Sequence, residues 1–270
     1  MSITSERHKE DYFMACCKSG KPLADCLVID SHAHIGPMVG FPILSSSIEA
    51  LIAEMDRIGV DQAYVSGLPA LGTADRIGND IVLDAMNSYP DRIRGYMVLN
   101  ISEPNKIAME MQRCYGAGIR AVKIFSYATR GGLQYDDPVY EIIFEFADAH
   151  SLPVLAHTWG DELDQLAEPF EKYSRIRWLL AHTGSKDLPK YLRVAKEFEN
   201  VYLETCFSTC PRGLFEKLVS EVQLHKIIWG SDQLFMNAAH QLGRVLFSQI
   251  TPAQKRAILG ANAVALFGGK

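Results

Sequence analysis

"VIDSHAHIGP", residues 28–37, opens as the apolar run of a buried strand and closes with two histidines one residue apart. In an extended chain, side chains i and i+2 share a face about 6.5 Å apart, so His32 and His34 can converge on one small object. A metal ion is the natural candidate. A hydrogen-bonded core histidine beside a loop histidine is the competing reading, and the pair alone leaves both open.

The apolar-run signature recurs along the chain. After "LVID" (27–30) come "QAYVSG" (62–67), "RGYMVLN" (94–100), "IRAVKIF" (119–125), "PVLAH" (153–157), "RWLLAH" (177–182), "VYLET" (201–205) and "IIWGSD" (227–232). Most are near-continuous rather than alternating, as expected of parallel strands covered on their outer face. Between them lie helical patterns, such as "SIEALIAEMDRIG" with Ser47 as cap and a closing Gly59, and "DPVYEIIFEFADAH" with Asp137 as cap and Pro138 in the first turn. Eight β-then-α units over residues 27–270 have the size and count of an α/β protein of the (β/α)8 TIM-barrel class, whereas a doubly wound sheet typically has fewer strands. No repeat, low-complexity run or Pro/Ser-rich linker divides that span. Residues 1–26 precede the first strand and read as an N-terminal extension, an extra helix packed on the barrel or at a subunit contact.

The 270 residues are 48% hydrophobic and carry a net charge of −5, enough for a large core. Lys and Arg are scattered, which argues against a nucleic-acid or anionic-membrane partner. The six cysteines, Cys16, Cys17, Cys26, Cys114, Cys206 and Cys210, lack C-x-x-C spacing and read as reduced thiols. The first 21 residues are charged throughout and lack the apolar core of a signal peptide, and no segment is long and apolar enough to span a bilayer. The expectation is a cytoplasmic protein with a small-molecule substrate, with self-association its one macromolecular contact.

In such a barrel, active groups gather at the C-terminal ends of the strands. Four of the eight histidines, His32, His34, His157 and His182, end the first, fifth and sixth strand candidates, and Asp232 ends the eighth. His8, His150, His225 and His240 fall in the N-terminal segment or in helices and their flanks, and read as surface or packing residues.

"DSHAH", "LPVLAHT", "LLAHTGS", "IIWGSD" and the terminal "AILGANAVALFG" resemble, in order and spacing, the amidohydrolase superfamily, in particular the amidohydrolase-related branch that contains aminocarboxymuconate-semialdehyde decarboxylase and related hydrolases. The resemblance covers nearly all of the chain after residue 26. It implies a distorted barrel of the metallo-dependent hydrolase type with a divalent metal, often zinc, in its mouth. It also implies that His32, His34 and His157 are metal ligands, that Asp232 is a ligand that handles the proton of the bound water, and that His182 faces the substrate. Neutral imidazoles and one carboxylate suit a single Zn²⁺ per chain with a position left for water.

The reading that follows is hydrolysis, in which a metal-activated water attacks an amide, ester or lactone carbonyl and His182 holds the oxyanion or shuttles a proton. The alternative is non-oxidative decarboxylation of a small carboxylated substrate, and a second alternative is a metal-binding barrel without catalysis. Lys123, in "AVKIF" of the fourth strand, is a substrate contact or a charge partner inside the barrel; the superfamily's binuclear members imply a third role, a carboxylated lysine bridging two metals. Arg130, in the Gly-rich "YATRGGLQYDD", is a candidate clamp for a substrate carboxylate or a solvated loop residue. Trp159 walls the pocket or packs beneath it. Glu204 and Cys206 line the pocket without assigned chemistry, and Asp30 supports the site by hydrogen bonding.

Overall fold

The eight apolar runs form eight strands: β1 (Ile29–Ile35), β2 (Gln62–Gly67), β3 (Ile93–Val98), β4 (Ala121–Ile124), β5 (Pro153–Ala156), β6 (Arg177–Leu180), β7 (Val201–Glu204) and β8 (Ile227–Ile228). The computed structural model describes residues 11–38, 40–126, 133–207 and 211–268. Neighbouring strands pair in sequence order, and every pair is parallel. The sheet closes where the chain after β8 returns to β1: Ala33 bridges Gln233 in parallel, and the Asp232 amide donates to the His32 carbonyl at 2.7 Å. The architecture is the (β/α)8 barrel.

Residues along each strand alternate between two cores, as the two-residue period of an extended chain requires. Tyr96, Ala121, Leu155, Leu179 and Ile228 pack inside the barrel, where Ala263 and Leu266 of the C-terminal helix Asn262–Phe267 fill its lower end. Their neighbours Met97, Val122, Val154, Trp178 and Ile227 face the helical layer. Each fully buried aliphatic contributes about 1.5–3 kcal/mol, so this doubly covered sheet is the main source of stability.

Local signals set the connections. Ser47 caps the helix Ile48–Ile58 by accepting from the Ala50 amide, and Leu51, Met55 and Ile58 form its buried face. Gly59 ends it at φ +83°, and a Cβ there would lie 2.5 Å from the Leu23 backbone nitrogen, so both conformation and space demand glycine. Asp137 caps a single 3₁₀ turn, Pro138–Tyr140, that leads into the helix Glu141–Ala149. In the N-terminal segment, Asp11 caps the helix Tyr12–Ser19; Phe13 is fully buried in the outer core, and the Lys255 ammonium donates to Asp11 at 2.7 Å. No described helix is long and apolar enough to cross a membrane.

β1 departs from expectation by running to Ile35 rather than stopping near Asp30, so His32 and His34 lie within the strand. Closure by the chain after β8 supplies hydrogen-bond partners that the sequence of β1 alone does not reveal. The β1–β2 register also slips: Asp30 pairs with Ala63 and Ala33 with Val65, an extra residue in β1. Such bulges re-aim side chains next to active sites, and here the bulge lies immediately before and at His32.

Candidate active site

The rim residues are delivered by three kinds of backbone. His32 and His34 come from β1; His157 follows β5 directly; His182 and Asp232 lie beyond β6 and β8 in left-handed conformations, at φ +62° and +57°. Left-handed backbone is costly for residues other than glycine and persists where neighbours enforce it. His182 is held by its amide donating to Glu204 at 3.3 Å, and Asp232 by its amide on the His32 carbonyl.

His32, His34 and Asp232 present donor atoms that all lie within 4.8 Å of one another. Asp232 Oδ1 is 3.0 Å from His34 Nε2 and 3.6 Å from His32 Nε2. The far nitrogen of each ring is anchored: His34 Nδ1 to Ser66 Oγ at 2.8 Å and His32 Nδ1 to Glu204 Oε2 at 3.1 Å. Anchoring of this kind fixes tautomer and orientation in metal-ligating histidines. Burial holds His32 well below the usual imidazole range, with Lys123 and the neighbouring imidazoles adding to it, and lowers His34 against the pull of Asp232, so both are neutral. Burial alone would raise Asp232, but the hydrogen bond with His34, the neighbouring imidazole of His182 and the Lys123 ammonium outweigh it and hold the carboxylate below its usual range. Two neutral imidazoles and an ionised carboxylate are a donor set that fits a divalent ion.

His157 stands beside this cluster. Its Nδ1 is 3.2 Å from His182 Nε2, and its ring contacts Phe125 and Trp159, with centroids 4.7 and 5.3 Å away. His182 Nδ1 faces the Cys206 carbonyl at 3.2 Å and must therefore carry the proton, leaving Nε2 to accept from His157 Nδ1–H. His157 Nε2 keeps its lone pair. Burial lowers His182 to about 4, with Asp232 opposing the shift.

Lys123 shares the inward face of β4 with Ala121. It is 2% exposed, with Nζ 3.1 Å from His32 Nε2, and burial lowers it to about 8. These groups open into a cavity of about 320 Å³ whose walls include Phe125, Trp159, Phe207, Phe235, Met38 and Leu71, with His34, Lys123, His157, His182 and Asp232 as its polar lining. Trp159 is 38% exposed and stands at the edge of this wall. Arg130 lies outside the described residues.

Sequence reasoning gave Glu204 no task. In the structure its fully buried carboxylate accepts from His32 Nδ1, the Cys206 amide and thiol, and the His182 amide, tying β1, β6 and β7 together. Its position at the end of β7 was the available signal, as "SG" ending β2 was for Ser66. Asp30 accepts from the His32 amide at 3.1 Å and from the Ser231 amide at 2.9 Å. Gly230 makes room for the arrangement: a Cβ there would lie 2.6 Å from Glu204 Oε1 and 2.8 Å from His32 Cβ. Gly230→Ala is expected to cost about 1–3 kcal/mol through overpacking and to weaken metal retention. Thermal melts and metal analysis of the dialysed variant check this; a variant with unchanged stability and metal content would contradict it.

An amidohydrolase family model matches residues 29–269. Gamma-resorcylate decarboxylase from Polaromonas sp. JS666 is 24% identical, over 82% of this chain and 83% of its own. Among solved structures, a dihydroxybenzoic acid decarboxylase from the same strain, with bound manganese and 2-nitroresorcinol, aligns with a TM-score of 0.75 at 19% identity, covering 90% of this chain and 97% of that one. The 5-carboxyvanillate decarboxylase of Sphingomonas paucimobilis aligns with a TM-score of 0.72 at 17% identity, covering 91% and 100%. These relatives overturn the hydrolytic expectation. They are named as decarboxylases, and the rim groups read from the sequence serve either reaction, so residue types alone did not encode which bond breaks. The family label does not settle the reaction, and with residues 29–269 matched, the chain belongs to the amidohydrolase family.

Proposed function

We propose that this protein is a metal-dependent, non-oxidative decarboxylase of a small aromatic carboxylate bearing a hydroxyl group ortho to the carboxylate. The observation that carries the reading is the cavity: the aromatic side chains of Phe41, Phe125, Trp159, Phe207 and Phe235 wall a space of about 320 Å³ whose polar lining is a donor cluster, a buried lysine and a histidine pair. Aromatic walls suit a planar ring, and the curated relative and solved neighbours act on hydroxylated benzoates by name.

One divalent ion per chain, manganese or zinc, belongs at His32, His34 and Asp232, with His157 Nε2 a further donor. When bound, it supplies positive charge that holds and polarises substrate oxygens. Lys123 pairs with the same anionic end of the substrate, turning from His32 toward the cavity. Phe125, Trp159, Phe207 and Phe235 orient the ring and exclude water. His182, in its protonated form, gives its Nε2 proton to the ring carbon bearing the carboxylate; a substrate anion beside it favours that form. The ring π electrons form the new C–H bond. The bond to the carboxylate then breaks, its electron pair restores the aromatic ring, and carbon dioxide leaves. An ortho hydroxyl assists by feeding electron density to that carbon.

A substrate panel tests this. Protein supplied with Mn²⁺ is expected to release carbon dioxide from 2,6-dihydroxybenzoate or another ortho-hydroxylated benzoate and to leave benzoate unchanged. Cleavage of amides, esters or lactones without carbon dioxide release from any hydroxybenzoate would overturn it.

A further inference from the structure

Behind the cavity-side cluster, on the opposite edge of His32, lies a second set of donors. Cys206 Sγ is 3.3 Å from His32 Nδ1, 3.3 Å from His182 Nδ1 and 2.9 Å from Glu204 Oε2, and His32 Nδ1 is 3.1 Å from the same carboxylate oxygen. The donor atoms of all four residues lie within 4.8 Å of one another. All four are buried, none more than 4% exposed. We propose that these residues form a second metal site, selective for a soft divalent ion such as Zn²⁺ or Cd²⁺, and that filling it empties the cavity-side site.

The charge balance favours such a site. A thiolate, a carboxylate and two neutral imidazoles around a divalent cation sum to zero, the state that a dry interior tolerates best. The donor edges of a tetrahedral zinc site span roughly 3.3–3.6 Å, from its bond lengths of about 2.0–2.3 Å, so these four distances, 2.9–3.3 Å, open by about half an ångström, or slightly more for the shortest. Thiolate is a soft ligand that discriminates strongly against Mn²⁺, whereas the cavity-side oxygen and nitrogen donors do so less.

Proton positions make the two sites exclusive. A neutral imidazole has one lone pair. When His32 Nδ1 binds the soft ion, its proton moves to Nε2, on the side of Asp232 Oδ1 at 3.6 Å; Lys123 Nζ, 3.1 Å from Nε2, loses its acceptor and turns toward the cavity, and Nε2 can no longer serve the cavity side. His182 likewise carries its proton on Nε2, facing His157 Nδ1 at 3.2 Å. His157 then takes its own proton on Nε2 and loses its donor on the cavity side. Binding releases the Cys206 thiol proton to solvent. Excess zinc thus acts as an inhibitor of the manganese-loaded protein, by a route distinct from replacement at the same ligands.

Cobalt is the probe. Titration of the full chain with Co²⁺ is expected to produce thiolate-to-cobalt charge-transfer absorption that is absent from Cys206→Ser and retained when Cys16 and Cys17 are both replaced by Ser. The zinc concentration needed to release bound Mn²⁺, followed by the paramagnetic resonance of the freed ion, is expected to rise by about 10–100-fold or more in Cys206→Ser. No charge-transfer band, or a band unchanged in Cys206→Ser, overturns the proposal. X-ray absorption on the cobalt-loaded, unsubstituted protein puts the same question with no substitution at all: one sulfur in the shell supports the site, and a shell of nitrogen and oxygen alone refutes it. None of these readouts uses turnover, so they stand or fail separately from the decarboxylase reading.

Discussion

His182→Asn is expected to lower turnover by about 10²–10⁴-fold while leaving metal content near that of the unaltered protein. His182 Nδ1 is committed to the Cys206 carbonyl and Nε2 faces the cavity side, toward His157, so Nε2 is the nitrogen that can exchange a proton with a bound molecule. The Asn amide is smaller than the ring but keeps a donor for the Cys206 carbonyl in place of Nδ1–H, and it cannot carry a proton to carbon. The cavity-side donors are untouched, because the His32, His34 and Asp232 cluster does not include His182. Rate and metal content measured on the same preparation, with a thermal melt as control, separate the possibilities. Loss of manganese would place His182 among the cavity-side ligands, and full activity would remove it from the reaction.

The second large effect belongs to His34. His34→Ala removes Nε2, which lies 3.0 Å from Asp232 Oδ1, and leaves Ser66 without its ring partner. Losing a supporting partner costs about 10–100-fold in metal affinity, and losing a donor should cost more, so the dialysed variant is expected to hold little metal and to show activity close to background. Because the imidazole is buried against Phe235, with ring centroids 5.1 Å apart, the variant also opens a void and melts lower. A folded His34→Ala protein with one tightly held metal per chain would refute the assignment of His34.

The barrel was legible because its strands are short apolar runs separated by capped, amphipathic helices, patterns that depend on neighbouring residues alone. Ser47, Asp137 and Gly59 act at their termini as read. The rim was legible for a related reason: a strand that ends in histidine or aspartate places that residue at the mouth. What escaped was pairing across the barrel. The extension of β1 depends on Gln233 and Asp232, about 200 residues away, and the bulge before His32 leaves no mark in composition. Glu204 looked like one more strand-end acid; its four contacts with His32, His182 and Cys206 exist only once β1, β6 and β7 are assembled. Lys123 sits on a four-residue strand whose parity is fixed by its neighbours, and only the fold turns it inward. The reaction was the least legible of all, because proton transfer and charge stabilisation serve hydrolysis and decarboxylation with the same side chains.

The measurement that bears most directly on a metal-dependent decarboxylase is carbon dioxide release from 2,6-dihydroxybenzoate by protein stripped with a chelator and then resupplied with Mn²⁺. Release is expected to vanish on stripping and to return in proportion to added metal, saturating at one ion per chain, with the resorcinol product formed one for one with carbon dioxide. Release that survives complete metal removal, or a metal-restored protein that cleaves amides or lactones and yields no carbon dioxide from hydroxybenzoates, would contradict it.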